Sequence, residues 1–388
     1  MMADNIEHVI SYWLLFDKFK SPLLGGFAVV SHWLPFLFFS LYSGSLADRY
    51  DPRRLMQIGM ALFMFVSLAW AVLFYTDSLQ VWHAVVLLTL HGFAGVFWNP
   101  PAQVLLYDIV GADKLHSAVR LSATGRWLGL LLGPGIGAGI LLLFGPKLGI
   151  ALNALIYLPM MLWLWRAPYG PKFRKEKFVP PRPVRNFTDV RRVLAEISRN
   201  RTIVAMSLLA GGASLFVGNA YHAQMPGFAL DLGHGRADMT YGFLLAADAA
   251  GALIAGILLE SRSWLKSSER TAIALAIGWC LVMVGFALTR SYAVALCLLF
   301  VAGFFELSFN AMAQSLVQVS APAHLRGAVV GVFHTFALGF RAFSGVSVGL
   351  LGVMVGIHWS LALSAMALLA ATVGLLGFVT RAPLRRSD

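Results

Sequence analysis

Residues 92–106 read GFAGVFWNPPAQVLL, and residues 303–317 read GFFELSFNAMAQSLV. At an offset of 211 positions, Gly92/Gly303, Phe93/Phe304, Asn99/Asn310, Ala102/Ala313, Gln103/Gln314 and Leu105/Leu316 coincide. With one residue removed the register continues through Leu115/Leu325, Ala118/Ala328, Val119/Val329, Leu128/Leu338, Gly129/Gly339, Gly135/Gly345 and Gly139/Gly349. An echo at about half the chain length predicts two similar halves.

The repeat lies in apolar surroundings. Hydrophobic residues make up 59% of the 388-residue chain and charged residues 12%. Soluble domains carry about 25% charged residues, so the composition is that of an integral membrane protein. Runs near the 20 apolar residues that a spanning helix needs occur at 22–46, 55–75, 80–105, 117–143, 147–166, 202–226, 239–259, 271–289, 292–317, 327–353 and 357–380. They are too long and too rich in Leu, Ala and Gly for barrel strands.

Charge placement orients these runs. When loops are assigned alternately to two sides, one side holds 23 Lys and Arg and the other five. The positive-inside rule puts the first side, and the C-terminus, in the cytoplasm of a cell inner or plasma membrane. The net charge of +12 therefore does not point to nucleic acid, because the cations are confined to a few loops. Cys280 and Cys297 both sit in apolar runs and read as small core residues.

The beginning of the chain is unusual. Residues 5–16, NIEHVISYWLLF, would form a helix about 18 Å long against a hydrocarbon core of about 30 Å. The repeat maps 202–226 onto the chain start, so the first helix is expected to be incomplete, with a preceding segment missing. The domains expected are an N-terminal bundle over 1–166, a basic linker over 167–201 and a C-terminal bundle over 202–388. The linker carries prolines at 168, 171, 180, 181 and 183, which favour extended chain. After them Phe187, Val190, Val193, Leu194 and Ile197 fall at helical spacing and predict an amphipathic interfacial helix.

The loop after the run 22–46 reads Gly44-Ser-Leu-Ala-Asp48-Arg49-Tyr-Asp51-Pro-Arg53-Arg54. It resembles the signature loop of the major facilitator superfamily, with Asp51 at a position usually held by glycine. The second half keeps a weaker copy, Gly256-Ile-Leu-Leu-Glu260-Ser-Arg262. The run Gly129-x-x-x-Gly133-Pro134-x-x-Gly137 is similar to the fifth-helix motif of the superfamily's drug/proton antiporters, with Ala138 replacing a glycine. Small residues four apart permit close helix packing, and the proline predicts a bend. The stretch from Asn99 to Val110 further resembles the enterobactin-exporter-like efflux branch. The resemblance implies an all-α polytopic protein of two pseudo-symmetric six-helix bundles, with eleven full spans and a partial first helix here. It also implies a gate, with Gly44 for close contact and Asp48 facing the N-terminus of the eleventh helix near Arg326-Gly327. Arg49, Arg53 and Arg54 would pair with acids such as Asp108.

A polar group in hydrocarbon costs several kcal/mol unless it is paired or hydrated. Ionisable residues inside spans are therefore the candidates for function. Glu7, Glu306 and Asp248 are candidate proton carriers. Glu306 and Arg341 are expected to pair, and Glu7 is the acid expected nearest Arg126. Gly303, Glu306, Asn310 and Gln314 share one helix face, as do Gly92, Gly95, Asn99 and Gln103. With His8, Arg126, Asn219, His222, His334 and Arg341 they are candidates for lining a substrate cavity. His334 and Arg341, seven residues apart, are expected on one helix face. His32, His83 and His91 read as packing residues.

No phosphate-cradling Gly-x-x-x-x-Gly-Lys-Ser/Thr run, zinc-type spacing or Gly-x-Ser-x-Gly elbow occurs. No enzyme activity, cofactor or metal is expected. Duplicated helical halves are the build of a secondary transporter. Together with the resemblance they imply proton-coupled efflux of a small organic molecule by alternating access. The alternatives are an uptake permease for an organic anion and a transport-inactive or sensory homologue. The partners expected are that molecule, protons and the lipid bilayer, with the chain acting as a monomer and no nucleic acid.

Overall fold

The computed structural model describes residues 2–19, 22–170, 173, 184, 186–218, 220–232, 238–262 and 266–381. Among these the regular structure is entirely helical. In chain order the elements are α1 (Met2–Phe19), α2 (Pro22–Arg49), α3 (Pro52–Tyr75), α4 (Val81–Val110), α5 (Leu115–Ile156), α6 (Leu158–Arg166), α7 (Phe187–Ile197) and α8 (Arg201–Phe216). They continue with α9 (Ala220–Leu232), α10 (Asp238–Arg262), α11 (Glu269–Leu288), α12 (Tyr292–Ser320), α13 (Arg326–His334), α14 (Arg341–Val355) and α15 (Ile357–Arg381). Among the described residues, seven segments are long and apolar enough to cross a bilayer: 52–75, 81–110, 147–166, 269–288, 292–320, 323–344 and 357–380. The protein is a multi-pass membrane protein.

Capping chemistry marks several helix starts. Asp51, Asn200 and Ser268 hold extended backbone and accept from the backbone N–H of Arg53, Ile203 and Thr271. Each satisfies a donor that the first turn leaves without an intrahelical partner. Prolines 35, 100 and 101 lie inside α2 and α4 without ending them. Near the end of α1, Lys18 Nζ donates to Asp77 Oδ1 at 2.6 Å. That bond and the ammonium charge hold the Asp77 carboxyl below its usual range.

Two apolar runs fold with interruptions that hydropathy does not register. The run 202–226 divides into α8 and α9 at Val217–Gly218, where Gly218 has φ +46°. α5 stays helical through Pro134, and its non-helical dihedrals fall at Gly145, with φ 72°. The run 327–353 divides into α13, a π-helical turn at Thr335–Gly339, and α14. A π turn changes the angular register, so the seven-residue spacing of His334 and Arg341 does not put them on one face. α1 extends beyond the 5–16 run at both ends. The amphipathic helix expected in the linker is α7: Val193 and Ile197 are buried, whereas Phe187 and Leu194 are exposed.

Two compact units are present. The first comprises Met1–Asp113, Leu128–Ala195 and Ala321–Gly339. In it α2 packs against α4 and α13. The approach is close because a Cβ on Gly44 would stand 1.9 Å from the Gly327 carbonyl oxygen, and one on Gly331 would stand 2.3 Å from that of Ser40. Gly133 is buried against α1, where its Cβ would meet Asn5 Cβ at 2.7 Å. The second unit comprises Lys114–Trp127, Glu196–Ser320 and Phe340–Asp388. There α10 and α12 touch backbone to backbone, Gly251 against Phe300 and Gly303 against Asp248.

This packing tolerates no side chain. Gly303→Val should destabilise the purified protein by about 1–3 kcal/mol through overpacking. Gly125→Ala, where an added Cβ meets nothing within 4 Å, should leave the melting temperature in detergent unchanged. Equal melting temperatures for the two variants would contradict the packing described.

Candidate functional site

Three polar constellations stand out, each within one unit. The first joins α2 to α13. The Asp48 carboxylate accepts from the backbone N–H of Gly327 through Oδ1 and of Ala328 through Oδ2, the latter at 2.8 Å. These are among the first N–H groups of α13, which have no intrahelical acceptor and carry the positive end of its dipole. Asp48 is 4% exposed, so the charge is held by the helix start and not by water. Gly44 and Gly327 give the approach that this needs. The guanidinium of Arg326 lies over the Tyr107 ring, 3.4 Å from its centroid. Arg53 is engaged by Asp51, with Nη2 donating to Oδ2 at 2.5 Å and Nε to Oδ1 at 3.0 Å, and its Nη1 donates to the Ala167 carbonyl. The departure from the signature loop thus has a use: Asp51 caps α3 and holds Arg53. Arg49 and Arg54 are exposed, and Asp108 is half-buried.

The second constellation lies where α1, α2, α3, α4 and α5 meet in the first unit. His91 bridges two acids, its Nδ1 2.8 Å from Glu7 Oε1 and its Nε2 2.7 Å from Asp4 Oδ1. Each contact needs a shared proton, so the three groups hold two between them. Ser67 donates to Glu7 Oε2, and Asn153 Nδ2 reaches the same oxygen at 3.4 Å. The His8 ring centroid is 4.9 Å from that of His32 and 4.8 Å from that of His91. One possible ligand atom from each of Asp4, His8, His32 and His91 falls within 4.8 Å of all the others. Chain spacing conceals this cluster, because the residues lie on three helices. Glu7 is held by His91, Ser67 and Asn153, and the polar contact of Arg126 is with Gln314.

The third constellation is in the second unit. The Tyr221 hydroxyl reaches Glu306 Oε2 at 2.9 Å and Asp248 Oδ2 at 3.1 Å. The single hydroxyl proton can be donated to only one of the two carboxylates at a time. Arg341 lies within electrostatic range of Glu306. Arg126 Nη2 donates to Gln314 Oε1 at 3.4 Å and feels the charge of Arg341. The repeat-related Asn99 and Asn310 behave alike: each donates to the carbonyl four residues back, Gly95 and Glu306, at 3.1 Å. Gln103 and His334 are buried. Asn219 and the side chains of His222 and Pro134 lie outside the described residues, while Gly129 and Gly137 are buried in α5. Asp4, His32, His91 and Tyr221 were missed by sequence reasoning. Only Tyr221 carried a signal, lying beside the flagged pair Asn219 and His222.

The model of the transmembrane secretion effector family of the major facilitator superfamily matches residues 2–387. The chain belongs to this family. Its members are non-enzymatic transporters that move small molecules across a membrane by secondary transport. The chain is 23% identical over 148 residues to a staphyloferrin A transporter of Staphylococcus aureus (strain NCTC 8325 / PS 47), a match spanning 37% of each protein. Its fold is that of the human organic anion transporter MFSD10, with a TM-score of 0.73, 12% identity and coverage of 97% and 96% of the two chains. It is also that of the Escherichia coli fucose:proton symporter FucP, with a TM-score of 0.70, 13% identity and coverage of 98% and 97%. A bacterial homologue of the iron transporter ferroportin in its outward-facing state has a TM-score of 0.72, 16% identity and coverage of 98% and 97%.

The Asp48 contact makes a direct prediction. Charged hydrogen bonds contribute about 1.5–3 kcal/mol each, so Asp48→Ala should loosen α13 from α2. A cysteine placed at the buried Ala47 should then react with maleimide at least tenfold faster than in the Asp48 background. An unchanged rate would mean that the carboxylate does not hold the two helices together.

Proposed function

We propose that the protein exports a small organic molecule across a cell inner or plasma membrane in exchange for protons. In this reading the fold has two pseudo-symmetric six-helix bundles, 1–166 and 202–388, joined by the basic linker and alternating in access. The C-terminus is cytoplasmic, and the working unit is a monomer. The observation that carries the reading is the buried Asp248–Tyr221–Glu306 bridge, a place where a proton is held between acids inside a membrane helix bundle. Removal from water favours the protonated form of a carboxyl, and a nearby cation favours the ionised form. Arg341 beside Glu306 is such a cation. Glu7, bridged by His91, is the corresponding acid of the first unit.

The Asp48 cap is the proposed inner gate. Its making and breaking is worth about 1–3 kcal/mol, enough to shift a two-state equilibrium by about five- to 150-fold. Asn99, Gln103, His8, Arg126, Asn310, Gln314 and His334, together with Asn219 and His222, are the proposed substrate contacts. Export as the direction rests on the likeness to the efflux branch and on the family description. A second reading, uptake of an organic anion, is favoured by one observation: Arg126 and Arg341 are two half-buried cations near enough to act on each other. MFSD10, of the same fold, is an organic anion transporter.

Proteoliposomes with an imposed pH gradient test the coupling. Glu306→Gln and Asp248→Asn should abolish gradient-driven accumulation while leaving substrate exchange without a gradient, and Glu7→Gln should reduce accumulation. Accumulation at the wild-type level in all three would contradict proton carriage by these acids. Anion uptake makes a different prediction: Arg126→Gln and Arg341→Gln would remove substrate binding itself.

A further inference from the structure

We propose that Asp4, His8, His32 and His91 form a binding site for a divalent first-row transition-metal ion. Three imidazoles and one carboxylate supply an N3O donor set, which suits zinc, cobalt, nickel or iron(II). It does not suit magnesium or calcium, which take oxygen ligands. The four donor atoms lie within 4.8 Å of one another. Donors on a tetrahedral ion at about 2.0–2.1 Å stand about 3.4 Å apart, so small side-chain rotations close the cage. The helices already hold the residues together: Asp4 and His8 are one turn apart on α1, His32 comes from α2 and His91 from α4.

The surroundings of His91 favour a metal over simple packing. A ligating imidazole ordinarily offers its second nitrogen to a carboxylate, which fixes the ring and raises its basicity. Here His91 presents Nε2 to the cluster beside Asp4 and Nδ1 to Glu7 at 2.8 Å. Glu7 is in turn held by Ser67 and Asn153. The acid behind the ligand is therefore itself oriented. Phe63 borders the His91 ring, with centroids 4.9 Å apart, and stacks on Tyr157, which gives the site an apolar wall. The His8 and Asp4 side chains are 21% and 14% exposed, so the donors are reachable. With two carboxylates and a divalent ion, the loaded site is neutral overall, which suits its place among membrane helices.

The site is tested by binding alone, on the full chain purified in detergent and stripped with chelator, so the outcome does not depend on transport. Zinc titrated by calorimetry should saturate at one equivalent. His8→Ala and His32→Ala should each weaken binding at least tenfold, and Glu7→Gln should weaken it about 10- to 100-fold through His91. His324→Ala and His358→Ala, outside the cluster, should leave it unchanged. X-ray absorption on the wild-type zinc complex needs no variant to fold, and should show three imidazoles and an oxygen in the first shell. Absence of saturable binding of zinc, cobalt and nickel overturns the proposal. So does full affinity in the His8→Ala/His32→Ala double variant, or a first shell with fewer than three imidazoles.

Discussion

A single carboxylate placed at the start of a helix organises the first unit. Asp48 is buried, and an ionised carboxylate out of water needs several kcal/mol of compensation. It finds that compensation in the N–H groups of Gly327 and Ala328, which need acceptors for the same reason. The contact satisfies both sides at once. A contact of this kind is strong in a dry bundle and replaceable once water enters, two properties that the proposed inner gate needs. Gly44 and Gly327 make it possible, because a side chain at either position would collide with the opposing backbone.

The same constraint explains the deeper polar groups. Three buried acids are bridged by a neighbour with a proton to share: Glu7 by His91, and Glu306 and Asp248 by Tyr221. A purely structural role would be served as well by apolar side chains, since replacing buried ionic groups with well-packed apolar residues is often neutral or stabilising. The proposed proton coupling needs protons placed between acids. The π-helical turn at Thr335–Gly339 breaks the register between α13 and α14, in a chain whose other helices are mostly regular. Such turns are common where function needs a helix to depart from ideal geometry.

Much of this was legible in the sequence, because membrane helices obey strong local rules. Apolar run length located the seven segments that are long and apolar enough to cross a bilayer among the described residues, and the resemblance of Gly44…Asp48 to the superfamily's signature loop implied a contact near Arg326–Gly327. The amphipathic stripe 187–197 became α7. What could not be read was side-chain company. His32 and His91 looked like packing residues because each stands alone on its own helix; only the meeting of α1, α2 and α4 brings them to Asp4 and His8. Arg53 looked available for an acid across the loop, but Asp51, the residue that departs from the motif, is two positions away and takes it. The division of 202–226 at Gly218 was hidden for another reason: a backbone with positive φ leaves no trace in hydropathy.

In the proposed gate α13 docks on α2 through Asp48 in one state and leaves it in another. Spin labels at the exposed positions Tyr50 and His324, in reconstituted protein, measure this by pulsed dipolar spectroscopy. Two distance populations are expected, the shorter corresponding to the docked helices, whose ratio changes between mildly acidic and mildly alkaline pH. One distance, unaltered by pH and by substrate, would contradict it.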